Sequence, residues 1–128
     1  MTILLLCILI AGFVLRGAPV RTGHHYWDET VYLQGGEIIA GDRPADTYHE
    51  FDIRPPLLFV LSGAVFALGG SVTTLHLVLA GIAALGIPLV YLLGRKLYSP
   101  EVGLLAAAGY AVSPEHVFFS HLISIDPV

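Results

Sequence analysis

The fold is decided by residues 73–93, TTLHLVLAGIAALGIPLVYLL, an apolar run of 21 residues that only His76 and Pro88 interrupt. A helix of this length suits a membrane, because a crossing needs about 20 mostly apolar residues. The run leads into residues 94–100, GRKLYSP, the most basic short loop of the chain. We therefore predict a transmembrane helix over residues 73–94.

The composition of the whole chain agrees with a membrane protein. Of its 128 residues 55% are hydrophobic and 12% are charged, with a mean hydropathy of +0.78, whereas soluble domains carry about 25% charged residues. The formal net charge is -4, and most of the acidic residues lie within residues 28–52. No basic tract is present, which argues against nucleic acid as a partner. The single cysteine, Cys7, excludes an intrachain disulfide. These features predict an all-α, polytopic membrane protein.

Residues 1–20 are predicted to form the first transmembrane helix. The uninterrupted apolar run Ile3–Leu15 has 13 residues, so as a helix it covers only about 20 Å of a hydrocarbon core of about 30 Å. Arg16 would have to extend the span by snorkelling to the headgroups. A cleaved signal peptide is the alternative, but a basic n-region and an A-x-A site are both missing.

Two further apolar segments are predicted to be helical. Residues 56–70 form a short helix that starts at Pro55-Pro56, since proline suits the first helical turn, and either crosses the membrane or enters only half of it. Residues 101–125 form a transmembrane helix that runs into a second outer loop, with a break near Ser113-Pro114. Small residues suit close helix packing in lipid; they are Gly81 and Gly86 in the run 73–94 and Gly103 and Gly109 in the segment 101–125.

Residues 21–55 are predicted to be an outer loop that contains a juxtamembrane helix. Apolar residues repeat seven positions apart within residues 30–40, which is compatible with a short helix on the membrane surface. Gly35 and Gly36 weaken a helix there unless they serve close packing. Gly41-Asp42-Arg43-Pro44 indicates a turn.

Charge predicts the topology. Cytoplasmic loops are enriched in Lys and Arg, which places Arg95 and Lys96 inside. If residues 56–70 crossed completely, this loop would share a side with Asp28, and Asp126 would lie opposite. If they form a half-membrane helix, Asp28, Arg54 and Asp126 all face outside. We favour the second arrangement because it satisfies both the charge rule and the grouping of the charged residues.

The polar residues nearest these helices are the candidates for chemistry. Asp28 and Glu29 could be a solvated loop pair or cap the helix that follows. Arg54 precedes the double proline, and its planar donors suit phosphate oxygens, although an interfacial anchor is the alternative. Asp126 ends an apolar helix, where an ionisable residue by default indicates a functional site. Trp27 could be an interfacial anchor or stack against a sugar.

Metal binding is a weaker prediction. Six histidines accompany the acidic residues, and imidazole with carboxylate suits zinc or manganese. However, no two histidines have the i, i+4 spacing of a helical metal motif. We therefore assign no metal ligand, and a divalent metal ion stays an open alternative.

The order of these motifs resembles a known family. An apolar helix is followed by Trp27-Asp28-Glu29, FDIRPPLL at 51–58, YLLGRKLY at 91–98, Ser99-Pro100 and HLISIDP at 121–127. Together they resemble the front third of the protein O-mannosyltransferase and aminoarabinose-transferase branch of the GT-C glycosyltransferases. The resemblance covers nearly the whole chain, and it implies the N-terminal part of a GT-C helical fold.

The resemblance also implies roles for individual residues. The family's acidic pair in the first outer loop matches Asp28 and Glu29, and this aspartate is thought to bind or deprotonate the acceptor. Arg54 matches a basic residue near the donor phosphate, and Asp52 and Asp126 match two further aspartates. Two positions depart from the pattern: Ile53 stands where the aminoarabinose branch has an acidic metal-site residue, and His121 replaces an arginine, so that we expect it to contact substrate.

The expected activity follows from these roles. A mannose-like or aminoarabinose-like sugar would move, with inversion, from a polyprenyl phosphate to a protein or lipid acceptor on the extracytoplasmic face of the cell membrane. Asp28 would act as general base, oriented by Glu29 or Asp126, while Arg54, Asp52, Trp27 and His121 would bind substrate. Family members have many more helices, so we expect a fragment that is inactive alone. The alternative is a non-enzymatic membrane subunit or transporter fragment.

Overall fold

The computed structural model describes residues 2–18, 27–45, 51 and 54–123, and for Trp27 the backbone only. This described part is all-helical, with seven α-helices and no β-strand. The helices are α1 (Thr2–Gly17), α2 (Trp27–Ala40), α3 (Pro56–Ala67), α4 (Val72–Ala84), α5 (Gly86–Leu97), α6 (Pro100–Val112) and α7 (Pro114–Ser120). The prediction of an all-α chain is confirmed for these residues.

Prolines mark the starts of three helices. Pro56, Pro100 and Pro114 each occupy the first turn of their helix, where an amide N–H would have no intrahelical acceptor and its loss costs nothing. At the start of α6, Ser99 also caps the helix, because its Oγ accepts a hydrogen bond from the N–H of Val102 at 3.3 Å. The start predicted at Pro56 is the one observed.

Glycines in the left-handed region end α2 and α3. Gly41 has φ +87° and Gly69 has φ +79°, values that only glycine adopts without a steric penalty. Beyond these residues the chain turns back, so that the N–H of Asp42 donates to the Glu37 carbonyl and that of Gly70 donates to the Val65 carbonyl, both at 2.9 Å. This is the usual way in which a glycine closes a helix.

The predicted transmembrane run contains α4 and α5. Together they form an apolar helix of 26 residues, Val72–Leu97. The regular structure is interrupted at Leu85. Pro88 explains the position, since it has no N–H for the carbonyl of Ala84, four residues earlier. This helix is long and apolar enough to cross a membrane.

The other apolar helices of the described part are shorter. Helix α1 has 16 residues and α3 has 12. Helices α6 and α7 would make a second span only as a bent pair, with 53° between them. The break falls at Ser113, where the sequence predicted it. The described helices thus contain one candidate span, or two if the bent pair counts, and the polytopic architecture stays a prediction.

The chain divides into two compact units. The first comprises residues 1–21 and 77–121, and the second comprises residues 22–76 and 122–128. In the first unit, α1 packs against α5, α6 and α7. The buried core of this unit consists of Ala84, Ile87, Tyr91, Ala107 and Ala111. Large apolar side chains are exposed on its surface, Ile3, Leu89 and Leu105 among them.

Arg16 does not snorkel, contrary to the expectation from sequence. Its side chain is only 2% exposed. The guanidinium donates to the carbonyls of Gly12 at 3.0 Å, Ala111 at 2.9 Å and Tyr110 at 3.1 Å. Pro114 offers no N–H to the Tyr110 carbonyl four residues before it, so Arg16 supplies a donor where the break in the helix removes one. The residue ties α1 to the end of α6.

Candidate functional site

The second unit brings two of the predicted site residues together. Asp28 lies in the first turn of α2, where the helix dipole favours a negative charge. Arg54 lies two residues before α3. Its Nη1 is 2.8 Å from Asp28 Oδ1, and the Arg54 and Asp28 side chains are 20% and 43% exposed. The acidic and basic groups that the sequence assigned to one site therefore form an ion pair that solvent reaches.

An aromatic stack supports the arginine of this pair. The Arg54 guanidinium lies over the ring of Tyr32, 5.7 Å from its centroid, at the distance of a cation–π contact. Tyr32 follows Asp28 by four residues on α2, so both side chains lie on one face of the helix. The Tyr32 ring packs on Phe59 at 4.8 Å, and Phe59 packs on Phe51 at 4.8 Å. The arginine is therefore fixed both by charge and by a rigid ring.

Helix α2 holds these groups in place because it lies very close to α3. A Cβ atom on Gly36 would lie 2.7 Å from the Cβ of Ser62, which only glycine avoids. Ser62 Oγ is 3.1 Å from the Tyr32 carbonyl and 2.9 Å from the carbonyl of Leu58. Gly36, which weakens the helix by propensity, is thus a close-packing residue. The contact fixes Tyr32 relative to α3 and the arginine that precedes it.

Glu29 has a different role from its neighbour. It is 2% exposed, and its Oε1 accepts a hydrogen bond from the backbone N–H of Ile123 at 3.1 Å. Ile123 is itself completely buried. Glu29 therefore anchors the chain near residue 123 to the start of α2. No signal in the sequence indicates this contact, because a backbone N–H is the same at every residue except proline.

The remaining predicted residues are not brought to this pair by the described part of the structure. Asp52, Asp126 and the side chain of Trp27 lie outside the described residues. His121 belongs to the first unit, where its Nε2 is 3.1 Å from the Ala18 carbonyl. Within the described ranges no group of three His, Cys, Asp or Glu side chains could hold a metal ion. A divalent metal stays an open alternative.

The ion pair is the arrangement on which a function can be argued. Comparison with protein-family models, with curated proteins and with solved structures found no match. A carboxylate can accept a proton from a hydroxyl or amine, and a guanidinium can hold an anionic phosphate through two parallel hydrogen bonds. In Asp28 and Arg54, a group that can accept a proton and a group that can bind a phosphate lie 2.8 Å apart.

The hydroxyl of Tyr32 leads to a first prediction. The residue is 1% exposed, and among the described residues its hydroxyl has no hydrogen-bond partner. A buried polar group without a partner costs about 1–3 kcal/mol, so Tyr32→Phe is expected to raise the free energy of unfolding by about 1 kcal/mol. Chemical unfolding in detergent, followed by circular dichroism, measures this change. Tyr98→Phe is the control, because Tyr98 is 77% exposed. A loss of stability in Tyr32→Phe alone would contradict the prediction.

Proposed function

We propose that this chain contributes to a membrane glycosyltransferase of the GT-C type, which uses a polyprenyl-phosphate sugar as donor. The Asp28–Arg54 ion pair carries the proposal. It joins the Trp-Asp-Glu motif to the arginine before the double proline, the two motifs to which the resemblance assigns the acceptor and the donor phosphate. The sugar would be mannose-like or aminoarabinose-like, and the acceptor would be a protein or a lipid.

The chemistry assigns one role to each member of the pair. Asp28 takes the proton from the acceptor hydroxyl or amine as that atom attacks the anomeric carbon. The bond from the anomeric carbon to the phosphate oxygen breaks, and its electron pair stays on the phosphate. Arg54 stabilises the charge that develops there. Attack from the face opposite the phosphate inverts the anomeric centre.

The proposed location follows from the candidate span that α4 and α5 form. If Val72–Leu97 crosses the membrane, its two ends face opposite sides. Arg95 and Lys96 lie in the last turn of α5, and cytoplasmic ends are enriched in Lys and Arg. Helix α3 precedes the other end by a short turn and, with 12 residues, covers only about 18 Å. If α3 does not cross the membrane, the segment with Arg54 would face the extracytoplasmic side, where lipid-linked sugars are used by the family that the chain resembles.

Binding of the donor lipid tests the proposal. The full chain is placed in phosphatidylcholine nanodiscs and titrated with polyprenyl monophosphate, and with uncharged polyprenol for comparison. We expect binding that requires the phosphate, and we expect Arg54→Ala to weaken it at least tenfold, because a hydrogen bond to a charged group contributes about 1.5–3 kcal/mol.

Arg43 provides the matched control for this experiment. It lies in the same unit and also pairs with an acid, at 3.4 Å from Glu37, but its side chain is 47% exposed. Arg43→Ala should leave the affinity unchanged. Equal binding of polyprenol and polyprenyl phosphate by the unaltered chain would reject the proposed function and favour a non-enzymatic membrane subunit.

A further inference from the structure

We propose that Arg54 exchanges its partner when the donor binds: its guanidinium leaves the Asp28 carboxylate for the donor phosphate, and this exchange frees Asp28 to act as the base. The inference rests on the proposed function and adds to it an order of binding, with the donor before the acceptor. It starts from the 2.8 Å contact between Nη1 and Oδ1.

The contact in the structure occupies groups that the reaction needs. A carboxylate oxygen that accepts a hydrogen bond from a guanidinium directs that lone pair at the arginine rather than at an acceptor hydroxyl. The same bond uses an N–H of the guanidinium that could point to a phosphate oxygen. While they stay paired, each group gives the other one of its hydrogen-bonding positions and part of its charge, which weakens its interaction with an acceptor proton or a phosphate. When the pair separates, Asp28 becomes available to the acceptor and Arg54 becomes available to the donor phosphate.

The surroundings of the pair allow such an exchange. Both side chains are partly exposed, and an ion pair that water reaches changes an equilibrium constant only a few-fold. A phosphate can accept two parallel hydrogen bonds from arginine, whereas the contact with Asp28 joins Nη1 to Oδ1. Solvent access also gives the lipid phosphate a path to the guanidinium. The free energies of Arg54 bound to Asp28 and of Arg54 bound to the phosphate are thus similar enough for the donor to shift the equilibrium between them.

The arginine keeps its place during the exchange because two of its supports do not involve Asp28. The Tyr32 ring lies under the guanidinium and is held by Phe59. The backbone that follows Arg54 is Pro55-Pro56, and Pro55 has φ -58° and ψ 132°, an extended conformation that the proline ring restricts. Only the end of the side chain has to turn. Tyr32 acts as a positioning residue that holds Arg54 with either partner.

The reaction that follows this exchange is balanced in protons and electrons. Once freed, Asp28 takes the proton of the acceptor, the acceptor atom bonds to the anomeric carbon, and the bond to the phosphate oxygen breaks. The electron pair stays on the phosphate, next to Arg54. When the polyprenyl phosphate leaves and Asp28 has released its proton to water, the two side chains pair again. An acceptor that reaches the site first meets a carboxylate still held by Arg54.

The affinity of an Asp28 variant for polyprenyl monophosphate shows whether Arg54 leaves Asp28 when the donor binds or stays paired with it. If Asp28 competes with the phosphate, Asp28→Asn should bind polyprenyl monophosphate about two- to fivefold more tightly, as expected for removal of a partly exposed ion pair. If Asp28 instead holds Arg54 ready for the phosphate, the same variant should bind more weakly. The measurement uses the full chain in phosphatidylcholine nanodiscs, as for Arg54→Ala.

Controls separate this inference from the proposed function. Glu37→Gln removes the acid of the exposed Glu37–Arg43 pair and should leave the affinity unchanged. In the Arg54→Ala background, Asp28→Asn should have no effect. Asp28→Ser carries the same expectation as Asp28→Asn if the latter folds poorly, since serine is also uncharged.

The outcomes are distinct. Unchanged or weaker binding by both Asp28 variants, with the loss in Arg54→Ala intact, overturns the exchange and leaves the proposed function standing. Failure of the unaltered chain to bind the phosphate overturns both. Tighter binding in Asp28→Asn that persists without Arg54 overturns the exchange, because the gain would then come from general charge alone.

Discussion

Replacement of Arg16 by methionine is expected to lower the free energy of unfolding by about 2–5 kcal/mol. Methionine fills a similar volume but donates no hydrogen bond, so the carbonyls of Tyr110 and Ala111 lose the guanidinium that now contacts them at 3.1 and 2.9 Å. The buried Ala111 carbonyl loses its side-chain donor, which costs about 1–3 kcal/mol, and the Tyr110 carbonyl keeps only the N–H of Ser113, at 3.4 Å. Equilibrium unfolding in detergent micelles, followed by circular dichroism, measures the loss.

Two further variants show whether the loss comes from the helix break. Arg95→Met also removes an arginine from the first unit, but Arg95 is exposed, and we expect a change within about 0.5 kcal/mol. Pro114→Ala restores an N–H that can donate to the Tyr110 carbonyl. The combination of Arg16→Met with Pro114→Ala should therefore lose less stability than the sum of the two single changes. Strict additivity would show that Arg16 does not replace the missing donor.

Local signals in the sequence predict the helices well, because they act within a few residues. Proline at the first turn and glycine after the last turn depend on backbone geometry alone, and they place the start of α3 and the turn after α2. The contacts of the Arg16 side chain could not be predicted in this way. A basic residue at the end of an apolar run looks the same whether it reaches headgroups or the carbonyl of a residue 95 positions away.

The apolar pattern of α2 shows a similar limit. Its spacing suits a helix that lies on a membrane surface, and it suits equally a helix that packs on another helix. In the structure Val31, Tyr32 and Leu33 are all buried, and α2 packs against α3 through Gly36. Periodicity reports which side of a helix is apolar, but it does not report what covers that side.

The candidate site was predictable in its residue types and only in part in its contacts. Asp28 and Arg54 stand out because they belong to the Trp-Asp-Glu motif and to the motif before the double proline, on which the resemblance rests. Their distance of 2.8 Å depends on the packing of α2 on α3, which no short motif encodes. The bond from the Ile123 N–H to Glu29 was not predictable, since its donor is backbone and 94 residues separate the partners.

Gly103→Ala is expected to cause the second large loss of stability, because Gly103 lies where α6 packs on α5. A Cβ atom on Gly103 would lie 2.6 Å from the Tyr91 carbonyl oxygen and 2.8 Å from the Arg95 nitrogen. Both are backbone atoms of α5, so no side chain can turn aside and the helices have to separate. Overpacking of a core costs about 1–3 kcal/mol, and we expect the upper part of this range because Tyr91 and Ala107 of the core lose contact as well.

Gly109→Ala is the matched control on the same helix, and it should have the opposite sign. A Cβ atom there would meet nothing within 4 Å, so alanine adds no clash and gains helix propensity of up to about 1 kcal/mol. The free energy of unfolding of both variants is measured in the same detergent. Both replace glycine by alanine on α6, so the two variants differ only in what surrounds the substituted residue. If both variants lost stability to the same extent, the glycines of α6 would act through the detergent or the unfolded chain. Opposite signs would locate the small-residue contact at Gly103, where α6 meets the backbone of α5.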